Sequence, residues 1–467
     1  MTSLRVFILA SLHPHPLLKL DRSSTESLSR QIQTQLRDAI RRGLLKAGAR
    51  LPSTRSLSRD LGISRPVVSD AYDQLAAEGY LHTRQGARPI VADVAGAAAA
   101  AKEERRESPP IHHDLRPAIP DLTMFPRKTW LKALRRAIGQ MPAPAFGYDG
   151  RHGTHELRRV LADYLGRVRG AIADADRIVI TSGFAEARAL TALVLRARGV
   201  RRLGVEDPSY SAWQSVDQAG LCRVLIPVDD EGLTVDRLDA LDVQAVFVTP
   251  AHQFPTGVVL GKARRSKLVD WLRANDAFAF EDDYDAEFRY DQQPVGALQG
   301  LSPERVIYAG TVSKTLAPGL RLGWLLVPGE LVEAVQAEQL RWNEGSPRID
   351  QNALATFIET GDYDRHLRSM RRIYRMRRDV LMGAIREFLP IAAPGGIAAG
   401  LHVTLQLPNC IDEVKVCEAV ARRGVAIEGI GKYRLSGKGA PALLLGYGSA
   451  SEASLRAAVR IIGDVIG

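Results

Sequence analysis

The chain has 467 residues, 45% of them hydrophobic and 25% charged, with a formal net charge of +10, which gives room for two or more domains and enough apolar content for a sizeable core. No apolar run approaches the length of a membrane span, and Val6 to Leu12 is too short for a signal peptide, so a soluble cytoplasmic protein is expected. Cys222, Cys410 and Cys417 lie without metal-ligand spacing and read as reduced, buried thiols, so no metal site is assigned.

Residues 1–91 hold fourteen Lys/Arg against seven Asp/Glu, which points to a polyanionic partner for that end alone. A charge excess also fits a solvated face, so the pattern has to decide. Ser24 or Thr25 offers an N-cap, and Leu28, Ile32, Leu36, Ile40 and Leu44 recur at helical spacing, predicting a first helix that ends near Gly43. Leu51-Pro52-Ser53-Thr54 opens a short second helix, capped by Ser53 or Thr54 and closed by Gly62 in a left-handed conformation. Ser64 caps a third, with Pro66 near its first turn and Val67, Val68, Ala71 and Leu75 facing inward. Two helices joined by Leu-Gly-Ile-Ser make a helix-turn-helix, whose second member presents its N-terminal residues to a major groove. His82 to Val91, with Gly86 at its tip, reads as a β-hairpin wing.

The run Leu-Pro-Ser-x-Arg-x-Leu, Leu-Gly-Ile-Ser-Arg, Ala-Tyr-x-x-Leu and Glu-Gly-Tyr-Leu over residues 51–81 resembles the GntR-type winged helix. The resemblance implies a double-stranded DNA operator as partner. Arg55, Ser64, Arg65 and Ser69 would touch phosphates and base edges, and Gln85 and Gly86 would reach a minor groove. Pro66, Val67 and Val68 stand where other members carry hydroxyls, so the operator sequence does not transfer. The expected boundaries are 16–91 for this domain, 92–113 for an alanine-rich linker stopped by Pro109-Pro110, and 114–467 for a large domain.

In the large domain a glycine-rich loop, Phe146 to Gly153, precedes a helix over His155–Tyr164. A strand over Arg177–Thr181 runs into Ser182-Gly183-Phe184-Ala185, a turn of small residues at a helix start, where free N–H groups and the helix dipole favour an anion. Glu206-Asp207-Pro208-Ser209-Tyr210 follows a strand over Leu203–Val205. Ala245–Thr249 leads into Pro250-Ala251-His252-Gln253-Phe254-Pro255-Thr256-Gly257. The apolar run 277–280 is expected to end where Glu281-Asp282-Asp283-Tyr284-Asp285 begins, and carboxylates at a buried strand mouth demand cationic partners. Val306-Ile307-Tyr308-Ala309 delivers Lys314 on a turn, either as a solvated charge or as an amine in an apolar pocket able to form a Schiff base. A pyridoxal phosphate ring asks for such a set: a lysine for its aldehyde, an acid for its ring nitrogen, hydroxyls and an arginine for its phosphate.

Ser-Lys-x-x-x-Pro-Gly-x-Arg-x-Gly at 313–323, with Glu-Asp-Asp-Tyr-Asp at 281–285, resembles the fold-type I aminotransferases and, given the head, the MocR/GabR-type regulators. The fold implied is α/β: a winged helix-turn-helix, a linker, then an aminotransferase-like domain with a small α+β C-terminal lobe. The resemblance implies pyridoxal 5'-phosphate bound through Lys314, with Asp282 at its ring nitrogen and Tyr284 at its phenolic oxygen. Thr311, Ser313 and Arg321 would hold its phosphate together with the turn Gly183, Phe184, Ala185, and Tyr148 would reach the phosphate of a partner subunit. Tyr210 would stack on the ring, the competing reading being an aromatic in ordinary core, and His252 either lies near the ring or is a buried, hydrogen-bonded histidine.

Two positions depart from the aminotransferase pattern: Phe254 stands in place of an asparagine, and Leu444 in place of the arginine that clamps a substrate carboxylate. Both argue for a transcriptional regulator that senses a small amine, an amino acid or the cofactor itself, over an active aminotransferase carrying a DNA-binding head. A third reading, a regulator that has lost the cofactor, is disfavoured by the presence of Asp282, Tyr284, Lys314 and Arg321. A homodimer is expected, because paired heads read two half-sites. The Arg-rich helix expected over Tyr363–Arg378 either covers an acidic or DNA-facing surface or forms a solvated face.

Overall fold

In the computed structural model the residues described are 18–84, 87–93, 110–147, 152–290, 295–343, 346–396 and 399–467, and the chain divides into two units, Met1–Glu107 and Ser108–Gly467. The first unit packs α1 (Leu28–Arg41), α2 (Thr54–Leu61) and α3 (Arg65–Ala77) around Ile32, Leu36, Leu57, Val68, Tyr72 and Leu75. The N-cap of α1 is Ser27, which accepts from the Arg30 N–H, instead of Ser24 or Thr25. Helix α1 ends at Arg41, so Leu44 falls outside the helix and is exposed, while Leu45 takes the core position. Gly62 closes α2 at φ 62°, and Ser64 precedes α3 without a side-chain cap bond. β1 (Leu81–His82) and β2 (Ile90–Val91) pair antiparallel as the wing, with Leu81 opposite Val91. Gln85 and Gly86 lie outside the described residues, as does most of the expected linker.

The second unit opens with β3 (His113–Asp114), α4 (Arg127–Gln140) and α5 (His155–Arg169), the last a turn and more longer than the sequence predicts, because Tyr164 and Leu165 continue its buried stripe and Gly170 caps it. β4 (Ile178–Thr181), α6 (Phe184–Ala197), β5 (Arg202–Asp207), α7 (Gln214–Gln218), β6 (Cys222–Asp229), β7 (Gly232–Leu233), β8 (Ala245–Val248), α8 (Lys262–Ala274), β9 (Phe278–Asp283), β10 (Val306–Thr311) and β11 (Gly323–Leu326) follow. Eight of these strands form one mixed sheet in the order β4-β11-β10-β9-β8-β5-β6-β7. Its central strands are parallel and buried on both faces, which is why they read as continuous apolar runs.

Side-chain alternation sorts the two faces. Phe247, Phe278, Phe280 and Ile307 pack on the side of α6, and Val246, Val248, Ala279 and Val306 on the side of α8. After α9 (Val332–Asn343), α10 (Arg348–Glu359) and α11 (Asp362–Phe388) comes a small lobe built on β12 (Ala393–Gly395), β13 (His402–Gln406), α12 (Glu413–Ala421), β14 (Val425–Ala426), β15 (Glu428–Gly429), β16 (Ala442–Gly446) and α13 (Glu452–Ile466). No helix of the described residues is long and apolar enough to cross a membrane.

The sequence expectation errs at β9. The strand does not end at Phe280 but runs through Glu281, Asp282 and Asp283, which pair with Tyr308, Ala309 and Gly310 of β10. Those acids are fixed by the ladder, with alternate ones on opposite faces of the sheet. Gly310 itself faces the indole of Trp324 on β11, and an added Cβ there would sit 2.5 Å from the ring. Gly310→Ala is therefore expected to cost about 1–3 kcal/mol by overpacking, read as a lower denaturant midpoint of the second unit with the transition of the first unit unmoved.

Candidate functional site

The carboxyl ends of the parallel strands converge on one cleft of 330 Å³. Asp282 reaches it from the end of β9, Thr249 from beyond β8, Thr311 from the end of β10, and Lys314 from the turn after that strand. Phe184, Ala185 and Arg188 line it from the first turns of α6, and Tyr210, Phe254, Tyr284 and Tyr433 form its aromatic walls.

The acids on β9 differ in how they are satisfied. Glu281 accepts from the backbone N–H groups of Leu298 and Gln299, and Asp283 takes the Arg169 guanidinium at 2.7 Å and the Tyr308 hydroxyl at 2.6 Å. Just beyond the strand Asp285 lies 3.0 Å from His252 Nδ1. Asp283 keeps its Oδ1 without a partner, but Asp282 is buried with neither oxygen hydrogen-bonded among the described residues. Burial first, then the charges of Asp283 and Asp285, pushes its carboxyl well above the usual range, with Arg188 and Lys314 pulling the other way. A buried acceptor in that state is completed by a cationic N–H donor. Lys314 donates to the Ala118 carbonyl at 2.7 Å, and burial lowers its ammonium against the opposing pull of Asp285 and Asp282. An amine so lowered keeps more of its neutral, nucleophilic form.

One end of the cleft suits an anion. The hydroxyls of Thr311 and Ser313 lie 2.8 Å apart, and Arg321 sits in the left-handed region at φ 50° with its guanidinium against Gly183. Gly183 has φ 92°, and a Cβ there would meet that guanidinium at 3.2 Å, so the position needs a glycine on both counts. The turn also leaves the first N–H groups of α6 without a side-chain cap. This donor set fits a phosphate, and the Asp282 orphan and the lysine fit a pyridine ring bearing an aldehyde.

The opposite end is aromatic. Phe254 makes edge contacts with Tyr284, Tyr433 and Tyr210 at centroid separations of 6.0, 5.0 and 6.5 Å, and with His402 at 5.4 Å. Tyr284 places its hydroxyl 2.9 Å from His252 Nδ1, so His252 is the buried, hydrogen-bonded histidine of the two alternatives. Tyr210 is 43% exposed, with the Arg188 guanidinium 5.5 Å over its ring, and so belongs to the cleft rim instead of the core. Leu444 is buried on β16 opposite Thr404 and Glu428.

Lys314, Asp282, Tyr284, Arg321, Ser313, Thr311, Phe184, Ala185 and Tyr210 thus meet around one space, with Gly183 at its edge. Tyr148 lies outside the described residues. Arg188, Thr249, Ala118 and Tyr433 were not singled out in the sequence. Arg188 had a signal, since it follows Phe184 by four residues on one helix face. Ala118 and Tyr433 arrive from distant parts of the chain, where no local pattern could mark them. Among the described residues no group of His, Cys, Asp and Glu is placed to hold a metal ion, and the cysteines are not buried as expected: Cys222 and Cys410 are exposed and Cys417 is half-buried.

In the first unit Arg55 and Arg65 border a concavity together with Tyr72, Arg84 and Arg88, so helix and wing contribute cations to one surface. Arg65 is steadied by Thr54 at 3.2 Å. Ser64 borders a separate hollow beside Arg22, and Ser69 is half-buried on α3 and lines neither. The wing arginines Arg84 and Arg88 were not singled out, although the hairpin prediction contains them.

Residues 28–91 match the family described as bacterial regulatory proteins, gntR family, and residues 119–433 match aminotransferase class I and II. The chain is 34% identical to the HTH-type pyridoxine biosynthesis transcriptional regulator PdxR of Corynebacterium glutamicum, covering 94% of this chain and 96% of that one. It is 30% identical to the probable rhizopine catabolism regulatory protein MocR of Rhizobium meliloti, covering 94% of each. Among solved structures it resembles kynurenine aminotransferase of Pyrococcus horikoshii, crystallised with PMP, at a TM-score of 0.69 and 26% identity over 76% of this chain and 90% of that one.

Glu206, buried at the end of β5, accepts from the Thr249 hydroxyl and from Gln253, and burial raises its carboxyl from 4.5 to about 7. The folded state then holds this proton more tightly than the unfolded chain. Its contribution to stability is complete below about pH 4.5 and is lost as the pH climbs to about 7. Urea midpoints across that window are expected to fall with rising pH, and Glu206→Gln is expected to make the fall shallower.

Proposed function

The chain belongs to the MocR-type transcriptional regulators, a gntR-family DNA reader joined to an aminotransferase class I and II domain, and on that premise we propose that the cleft holds pyridoxal 5'-phosphate and reports a small-molecule effector to the reader. The observation that carries this is the buried, unpartnered Asp282 Oδ1 sharing one cleft with Lys314. When bound, the cofactor supplies an aldehyde that an amine can condense with and a ring that withdraws electrons.

Lys314 would hold the aldehyde, and Asp282 would accept the ring N–H and keep it protonated. The Tyr284 hydroxyl, oriented by His252, would face the phenolic oxygen. Thr311, Ser313, Arg321 and the N–H groups after Gly183 would take the phosphate, where a planar guanidinium matches two oxygens at once. Tyr210 would cover one ring face, and the expected Tyr148 would complete the site from a partner subunit.

Effector chemistry at Lys314 changes DNA affinity only if the effector interacts differently with two arrangements of the protein. A charge-assisted carboxylate contact, worth about 1.5–3 kcal/mol, has no arginine at Leu444 to supply it. The effector is therefore an amine held otherwise, or the cofactor itself. Arg55, Arg65 and the wing arginines would contact the operator, with Ser64, Ser69, Gln85 and Gly86 completing the contacts as the sequence suggests. The expected boundaries, 16–91 for the reader, 92–113 for the linker and 114–467 for the sensor, the cytoplasmic location and the homodimer belong to the same proposal.

Borohydride treatment of protein loaded with pyridoxal phosphate is expected to fix the label on the peptide containing Lys314, read by mass spectrometry. Lys314→Ala should lose both the label and the visible absorption band, and a wild-type protein without either would end the proposal. For the reader, Arg65→Ala is expected to weaken binding to the protein's own upstream DNA across sequence variants. It should also lower the slope of log affinity against log salt by about 1; an unchanged slope would remove Arg65 from the phosphate contacts.

A further inference from the structure

A second cavity, of 510 Å³, opens in the aminotransferase unit between the end of α5, the segment after β9 and α11, and it shares no lining residue with the cofactor cleft. It follows from the same alternation that places Asp282 in the cleft. Asp283 points to the other face and recruits Arg169, and the chain then runs Ala286, Glu287 and on to Tyr290 along the cavity. Among the described residues six arginines and two carboxylates, Glu287 and Asp364, line it.

The pairings do not neutralise this excess. Arg167 is matched by Asp364 at 3.0 Å, and Arg169 by Asp283 at 2.7 Å. Arg371 and Arg375 are held by main-chain carbonyls instead, donating to Glu287 O at 2.5 Å and Tyr290 O at 2.6 Å, so they are oriented without losing their charge. Arg368 at the mouth makes no hydrogen bond or ion pair among the described residues. On the floor Arg169 is 2% exposed, and its Nη2 is buried without a hydrogen-bond partner among the described residues.

Guanidinium groups concentrated in one recess repel each other unless an anion enters, and planar forks fixed at their stems are suited to oxygens of phosphate or carboxylate. A buried N–H without an acceptor is the group such an oxygen would complete. The Arg-rich α11 therefore has mixed surroundings: Arg371 and Arg375 cap carbonyls and border the cavity, Arg371 also lies near the Glu287 carboxylate, and Arg377 pairs with Asp121 at 2.7 Å. We propose that this cavity is a binding site for a small multivalent anion presenting phosphate or carboxylate oxygens, separate from the cofactor cleft.

The test is calorimetric titration of the full-length protein with pyrophosphate and, in a parallel arm, citrate, both at constant ionic strength. Saturable binding of either, near one per chain, is expected, and the tighter of the two identifies the preferred oxyanion. Arg368→Glu, at an exposed position with no partner to lose, should weaken binding at least tenfold, and Arg371→Gln should weaken it as well. Binding should survive Arg321→Gln and Arg65→Gln, which remove cations from the cofactor cleft and the DNA reader. No saturable heat in the wild type, loss of binding in either of those two variants, or full affinity in both α11 variants would overturn the proposal.

Discussion

Everything at the cleft depends on how one buried strand accommodates its acids. β9 carries Glu281, Asp282 and Asp283 inside a parallel ladder, where an ionised carboxylate is costly unless it is paired. Alternation sends the first and third to one face, where Glu281 meets backbone N–H groups and Asp283 meets Arg169 and Tyr308 through its Oδ2. It sends Asp282 alone to the α6 face, where Arg188 and Lys314 act on it only at a distance. A one-residue slip in the register of β9 against β10 would exchange these partners and bury the wrong acid in the cleft. Gly310 on β10 yields space to Trp324 of the neighbouring β11 and so helps hold β10 against β11.

Much of this was legible in the sequence because the signals were local. Capping residues and left-handed glycines mark the head helices, and the order of apolar runs, hydroxyls and Lys314 marks a strand and a turn that brings a lysine to the cleft. Local signals also misled. Leu44 continues a helical spacing beyond the point where the chain has turned, and Leu45 takes its place in the core. Reading Phe280 as the end of β9 treated charge as a terminator, whereas a strand paired on both sides tolerates acids whose partners come from elsewhere. Those partners were invisible because they are distant in the chain: Arg169 is separated from Asp283 by 114 residues and Ala118 from Lys314 by 196.

The two units place opposite demands on their charges. In the reader, Arg55, Arg65, Arg84 and Arg88 sit around an open concavity, where cations stay hydrated. In the aminotransferase unit Arg169 is withdrawn from solvent and must be met by Asp283. Arginine serves both because its charge persists in either setting, while its fork commits to a geometry only where oxygens are presented.

The cleft divides the same way, and the division bears on sensing against turnover. Its polar end gathers Thr311, Ser313, Arg321 and the start of α6. Its other end is walled by Phe254, Tyr433 and Tyr210, and the Tyr433 hydroxyl is committed to Glu428. On β16 the side chains of Leu443 and Leu445 enter the core, and Leu444 faces Thr404, whose hydroxyl is spent on the Pro255 carbonyl at 2.7 Å. An arginine at 444 would need an acidic partner or a ligand carboxylate in that buried place, and a leucine needs neither. The substitution thus removes a binding contact without leaving an unpaired charge. A chain that regulates transcription can keep such a site stable and ordered while giving up the carboxylate grip that repeated turnover of amino acids would use.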